Sequence, residues 1–317
     1  MMEKILITGA SGFFGSNLAR RLLSEGFEVH ILTRPHSNRW RIADIYQDIT
    51  DWKCDLVDET HLQKIVKEIS PQHIIHSATY GGRYYEEDDS LILMTNLGGL
   101  VNLIKACQSI DYTTFINTGS SSEYGLKHLP MKEDDSCNPL NMYGISKLSG
   151  TLYSQYVANK WNKNIGTIRL FSPFGDFEDK GRLFPDLILN AIENKPIYLT
   201  NPDAVRDFIY VHDAIDLYVQ IIKTKSQIKG EIYNCGSGKQ HSVKEGVSKV
   251  LEVTNSKSDV IIESKRHQEI EINSWVCDLT KTESSFQWTP HYDFDQGIKE
   301  ACQWFERHKN LYKGGDQ

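Results

Sequence analysis

The sequence predicts an α/β fold: a parallel sheet with helices on both faces, followed by a smaller, less regular C-terminal lobe. Two observations carry this. Short apolar runs alternate with longer helical patterns through the first half of the 317 residues. A glycine-rich turn, T-G-A-S-G-F-F-G at Thr8–Gly15, separates the first apolar run from the first helical stretch.

In chain order, Lys4–Thr8 (K-I-L-I-T) is a buried-strand candidate, and Ser16–Glu25 reads as a helix with Leu18, Leu22 and Leu23 apolar. Phe27–Leu32 is a second strand, and a short third-strand candidate precedes C-D-L at Cys54–Leu56. A helix over Leu62–Ile69 is stopped by Pro71, and a strand over His73–His76 is centred on Ile74 and Ile75. Leu97–Gln108 places Leu100, Leu103 and Ile104 on one helical side; Thr114–Asn117 is a strand, Tyr143–Lys160 a long helix and Ile165–Leu170 a strand. Beyond Leu170 the pattern loosens: Gly175–Leu183 is a charged, glycine-rich loop, and Leu183–Ile192, Asp213–Lys223 and Ser242–Leu251 read as helices. Residues 1–170 are expected to form mainly a cofactor-binding domain, and residues 171–317 mainly a substrate-binding lobe with elements returning to the first.

A formal net charge of -7 argues against nonspecific nucleic-acid binding. The six cysteines are scattered without a C-x-x-C pair, so reduced structural thiols are expected rather than a disulfide scaffold or zinc knuckle. No metal site is expected; His73, His76 and His212 read as packing or capping residues. No apolar run reaches about 18 residues and no signal-like segment opens the chain, so a cytoplasmic protein without a membrane span is expected.

Gly9, Gly12 and Gly15 make G-x-x-G-x-x-G, a spacing that differs from the commonest G-x-G-x-x-G fingerprint. A tight turn there needs a residue tolerant of positive φ. The backbone must also approach a pyrophosphate closely, so that its charge rests on free N–H groups at the helix start. Ser11, Phe13 and Phe14 belong to the same candidate Rossmann-type cofactor turn, with Ala78 after a later strand. At the end of the second strand an acidic residue would favour NAD. Thr33 stands there instead, followed by Arg34 and, nearby, Arg39, and guanidinium groups suit a 2′-phosphate. NADP (NADPH) is therefore the expected cofactor, with NAD the alternative, although a solvated basic turn would contain the same residues. Asp55 could meet the adenine amine or cap its own loop.

Tyr143 and Lys147, in Y-G-I-S-K, share a helix face one turn apart. A lysine charge beside a phenol favours the phenolate, which suits proton exchange with a carbinol oxygen. A lone Y-x-x-x-K pair is common; its weight here comes from the glycine turn.

Together with H-S-A-T at His76–Thr79, G-S-S-S-E-Y-G at Gly119–Gly125 and R-D-F-I-Y-V-H-D at Arg206–Asp213, these motifs make the chain resemble the extended short-chain dehydrogenase/reductase family, in its nucleotide-sugar epimerase, dehydratase and ketoreductase group. The resemblance runs from Ile5 to about Phe305. It implies that Tyr143 is the catalytic acid/base, that Lys147 holds the nicotinamide ribose, and that Ser120 bonds the reacting sugar oxygen, with Ser121 and Ser122 as close competitors. It implies that Asn96 orders the loop behind the cofactor and that Arg206 pairs with a substrate diphosphate, Arg266 being a second phosphate contact. Arg182 and Leu183 resemble part of the substrate-nucleotide wall, with Ser172 beside them. Tyr80, Tyr84 and Tyr85 could line the sugar pocket or pack a dimer surface. The implied partner is a nucleotide-diphosphate sugar, and the implied assembly a homodimer through the Tyr143 helix.

Three chemistries share this framework. A 4,6-dehydratase needs an extra acid and base, and Ser121 and Ser122 occupy the places where the resemblance implies an Asp-Glu pair. Glu123 is one position further on and, in a strand, would point elsewhere. Thr33 and Arg34 rank NADPH-dependent 4-keto-sugar reduction, on a CDP or dTDP carrier, ahead of an NAD-dependent 4-epimerase. A non-catalytic scaffold has no physical need of Ser120, Tyr143 and Lys147 together.

Overall fold

The computed structural model describes residues 2–83, 85–263 and 274–313. Its centre is a seven-stranded sheet of β1 (Lys4–Thr8), β2 (Glu28–Thr33), β3 (Thr50–Lys53), β4 (His73–His76), β5 (Thr114–Ser120), β6 (Ile165–Leu170) and β11 (Ile232–Cys235), in the order β11-β6-β5-β4-β1-β2-β3. All six pairings are parallel. The fold is thus Rossmann-like, as the alternating pattern predicts. The strand order reverses between β1 and β4, and in such sheets the crevice beyond the carboxyl ends at that reversal is where ligands bind.

Side-chain alternation divides two cores. Ile5, Ile7, Ile75 and Ile116 face one layer with Leu18 and Leu22 of α1 (Phe13–Ser24); Leu6, Ile74 and Phe115 face the other, with Leu62 and Ile65 of α2 (Glu59–Ile69). Each such buried side chain contributes about 2 kcal/mol of transfer free energy. The second layer is completed by α3 (Asp89–Leu93), a π-turn (Met94–Gly98), α4 (Gly99–Cys107) and α5 (Met142–Trp161). The helical run Asp89–Cys107 is 19 residues long and apolar enough to cross a membrane by length and composition, a feature that counting contiguous apolar residues misses. Its Leu100, Leu103 and Ile104 pack in the core beside Val157 of α5.

The C-terminal half supplies α6 (Leu183–Ile192), α7 (Val211–Lys223), α8 (Val243–Thr254), α9 (Thr280–Phe286) and α10 (Phe294–His308). It also supplies the parallel pairs β7 (Ser172–Phe174) with β10 (Phe208–Tyr210) and β8 (Ile197–Leu199) with β13 (Val260–Ile262), and the antiparallel pair β9 (Val205–Arg206) with β12 (His241–Ser242). Strands of two or three residues are too short to show periodicity, so the pattern beyond Leu170 reveals none of them. Within the same stretch β11 returns to the main sheet as its edge strand, and α7 lays Tyr218 against Phe14 of α1, with ring centroids 5.0 Å apart.

Candidate active site

The glycine turn lies at the sheet reversal. Gly9 has φ +76°, and a Cβ there would stand 2.6 Å from the Ala78 amide nitrogen. A Cβ on Gly15 would stand 2.3 Å from the Gly9 carbonyl oxygen. Helix α1 starts at Phe13 with no side-chain cap and no acidic residue in its first turn. Its leading N–H groups are thus left for an anion. These features fit the pyrophosphate of a dinucleotide. Ser11 anchors the turn from behind by accepting from Arg41 at 3.4 Å, while Phe13 and Phe14 pack against the core. Ala78 donates its amide to Thr8 Oγ1 at 3.3 Å.

The end of β2 differs from the sequence expectation. Thr33 is buried and donates to the Asp51 carboxylate of β3 at 2.6 Å. Arg39 also binds Asp51, at 2.8 Å, and donates to Thr33 Oγ1 at 3.0 Å. Thr33 and Arg39 therefore already serve one another through an acidic residue on the neighbouring strand, a partner that sequence distance conceals. Arg34 is exposed beside them. Asp55 accepts from the Val57 amide at 3.1 Å, the local cap that a loop carboxylate offers.

Asn96 lies in the π-turn. It donates to the Tyr80 carbonyl at 2.8 Å and to Ser146 Oγ at 2.9 Å, and accepts from the Tyr80 amide at 2.8 Å and Thr79 Oγ1 at 3.2 Å. The loop after β4 is thereby fixed to α5. Tyr80 is held here by its backbone. Tyr85 is exposed, and its hydroxyl is bonded to Arg83.

The Ser120 and Thr79 hydroxyls stand near enough to the Tyr143 phenol to favour its ionised form. Asn141 caps α5 by accepting from Gly144 at 2.8 Å and sets the angle at which Tyr143 enters. Burial pushes the phenol above the usual tyrosine range, against the lowering influence of those two hydroxyls and of the Arg182 charge. This corrects the expectation that Lys147 lowers it in the free protein. Lys147 is itself buried, and burial brings its ammonium down to about 8, with Glu123 pulling the other way. Ser120 ends β5, and its Oγ accepts from the Ser122 amide at 3.1 Å.

A second correction concerns Glu123. Residues Ser121–Glu123 form a 3₁₀ turn rather than continued strand, so the side chain at position 123 comes back over position 120. Its carboxylate accepts from the Ser120 amide at 2.8 Å, from Thr151 Oγ1 at 2.9 Å and from Arg169 Nε at 2.8 Å.

Ser121, Ser122, Ser172 and Arg206 line one cleft of about 220 Å³, together with Gly125, Leu140, Asn141 and Trp275. Arg206 stacks over Trp275 with 5.4 Å from guanidinium to ring centroid, and Trp275 Nε1 donates to Ser121 at 3.2 Å. Asp207 points the other way, fully buried, and accepts from Ser237 and Cys277; the Arg–Asp surface pair that these neighbours could have formed is absent. Arg182 donates to the Gly82 carbonyl at 2.6 Å and reaches the Tyr143 side of the site, whereas Leu183 packs on the core. Arg266 and Tyr84 lie outside the described residues. Thr79, Asn141 and Trp275 were not singled out from sequence; a hydroxyl in H-S-A-T and a cap before Y-G-I-S-K were the available signals for the first two.

The family described as "NAD dependent epimerase/dehydratase family" matches residues 5–236. A UDP-glucose 4-epimerase of Caenorhabditis elegans is 28% identical, with 94% of this chain and 95% of that one aligned. Epimerase Mth375 of Methanothermobacter thermautotrophicus superposes with a TM-score of 0.89 at 26% identity, covering 99% of this chain and 95% of that one. The UDP-glucuronic acid 4-epimerase of Bacillus cereus, solved with UDP-glucuronic acid and NAD, gives 0.85 at 25% identity over 96% and 99%. The chain belongs to the NAD dependent epimerase/dehydratase family and is an NAD(P)-dependent enzyme.

Proposed function

We propose that the protein is an NAD-dependent 4-epimerase of a uridine-diphosphate sugar. One observation carries the reading: among the described residues, Tyr143 is the group placed to exchange a proton with the sugar. Tyr143 stands beside Ser120, Ser121 and Ser122 stand where dehydration would need carboxylates, and Glu123 is turned into a buried pair with Arg169. One phenolate can take a proton and, as the phenol, return it, which suits oxidation of a carbinol and its reduction from the other face. The relatives named as 4-epimerases support the uridine carrier and NAD.

A bound nicotinamide dinucleotide supplies the hydride acceptor and donor. Gly9–Gly15 and the start of α1 hold its pyrophosphate, and Lys147 its ribose. Ser120 orients the C4 hydroxyl, and Tyr143, acting as the phenolate, takes its proton and becomes the phenol. Arg206, braced on Trp275, keeps the diphosphate anchored while the keto sugar turns in the cleft. Tyr143 then returns the proton.

Exposed Arg34 favours a second reading, in which a 2′-phosphate binds there and the same site reduces a 4-keto sugar with NADPH. Releasing and identifying the cofactor of freshly purified protein separates the two. Retained NAD supports the epimerase; an empty site that fills with NADPH and consumes it overturns it.

A further inference from the structure

The Glu123–Arg169 pair is deeply buried: the two side chains are 0% and 3% exposed. Arg169 (β6) is held in turn by the Glu133 carbonyl at 3.3 Å and Cys137 Sγ at 3.2 Å, and its guanidinium lies 4.3 Å from the centre of the Tyr124 ring. Room for the carboxylate is made by Gly119, where a Cβ would stand 2.6 Å from Glu123 Oε1 and 2.8 Å from Thr167 Cγ2. Burying a charge pair is costly, and a pair that only filled space would be replaced by apolar side chains at no loss. What this one does is specific. One carboxylate oxygen takes the Ser120 amide, and the other takes Thr151 of α5, the helix that carries Tyr143 and Lys147, and Arg169 of β6.

We propose that Glu123 is a positioning residue that ties Ser120 to α5 and β6, fixing the serine hydroxyl against the Tyr143 phenol and setting a negative charge behind Lys147. The proposal rests on the reading of Ser120, Tyr143 and Lys147 as the reaction centre, but not on the identity of the sugar. Among the described residues, Tyr143 on its own helix and His76 on β4 also stand near Lys147; burial brings the His76 imidazole down to about 3, with the Lys147 charge adding to the effect. Glu123 is therefore the anion that favours the ammonium.

The test is Glu123→Gln in the full chain, read in two ways. Turnover of UDP-glucose is expected to fall about 30-fold in kcat with KM within about twofold, since substrate anchoring at Arg206 is untouched. Without any substrate, the pH dependence of Lys147 acetylation, followed by mass spectrometry, is expected to move to lower pH than in the parent. A merely structural carboxylate would leave that titration in place. A folded variant with parental kcat and parental Lys147 titration overturns the proposal. If Glu123→Gln does not fold, Thr151→Val keeps the charge and removes one tether; it is expected to lower kcat several-fold, and unchanged kcat overturns the proposal. A parent that turns over neither UDP-glucose nor UDP-glucuronic acid sinks the epimerase reading alone, and the Lys147 titration then decides this one.

Discussion

The Thr33 hydroxyl donates to the Asp51 carboxylate across 2.6 Å, joining the ends of β2 and β3 where the adenosine ribose of a cofactor would lie. Burial alone would raise the Asp51 carboxyl, but donors on Lys53, Thr33, Arg39 and Tyr46 together hold it below the usual carboxylate range. A carboxyl so held adds stability above its unfolded pKa of about 4, and that contribution is lost as pH falls through the lower folded value. Asp51→Asn is therefore expected to destabilise the protein by about 3 kcal/mol at pH 7. Urea unfolding should show this difference shrinking below about pH 4.

The same cluster leaves Arg34 as the exposed guanidinium at the end of β2. The NADPH reading predicts that Arg34→Ala leaves NADH affinity within about twofold of the parent and lowers NADPH affinity about tenfold, measured by calorimetric titration. Equal losses for both would remove Arg34 from the ribose site.

Lys147 sits in the protein at a cost. With burial bringing its ammonium from 10.5 to about 8, the folded state opposes protonation. The penalty is fully present below about pH 8 and relieved as pH rises toward the unfolded value, because there the unfolded chain binds the additional proton. Lys147→Met is expected to be more stable than the parent at pH 7, on the order of 2 kcal/mol, with the gain vanishing near pH 10. Its turnover should fall at least 100-fold. Thermal unfolding across pH 6–10 checks the sign.

Helix α5 turns Ile145, Leu152 and Tyr156 outward at 42%, 56% and 56% exposure. Leu91 of α3 and Met94 of the π-turn, beside it, are exposed as well. An apolar stripe of this kind fits a two-fold contact with a second copy. Light scattering is expected to give a dimer for the parent and a monomer for Leu152→Glu.

Much of the site was legible because its parts are local. The glycine turn, the Y-x-x-x-K turn of helix and the serine run each lie within one short segment, so residue type and spacing suffice. What the sequence concealed is tertiary. Asp51 reaches Thr33 across two strands, and Trp275 comes to Ser121 from 154 positions away. Glu123 was misread because a strand was extended through it; a three-residue 3₁₀ turn reverses the direction of its side chain. The phenol of Tyr143 was expected to be lowered by Lys147, yet burial acts on both groups and raises the one while lowering the other.

The central claim is that Tyr143 exchanges the proton of a sugar C4 hydroxyl while the cofactor stays bound. The direct measurement is the conversion of UDP-glucose to its C4 epimer, without added nicotinamide, by the parent and by Tyr143→Phe. The account predicts steady conversion by the parent and a loss of about 100- to 1,000-fold in the variant, with cofactor content unchanged. Equal rates in the two proteins would contradict it.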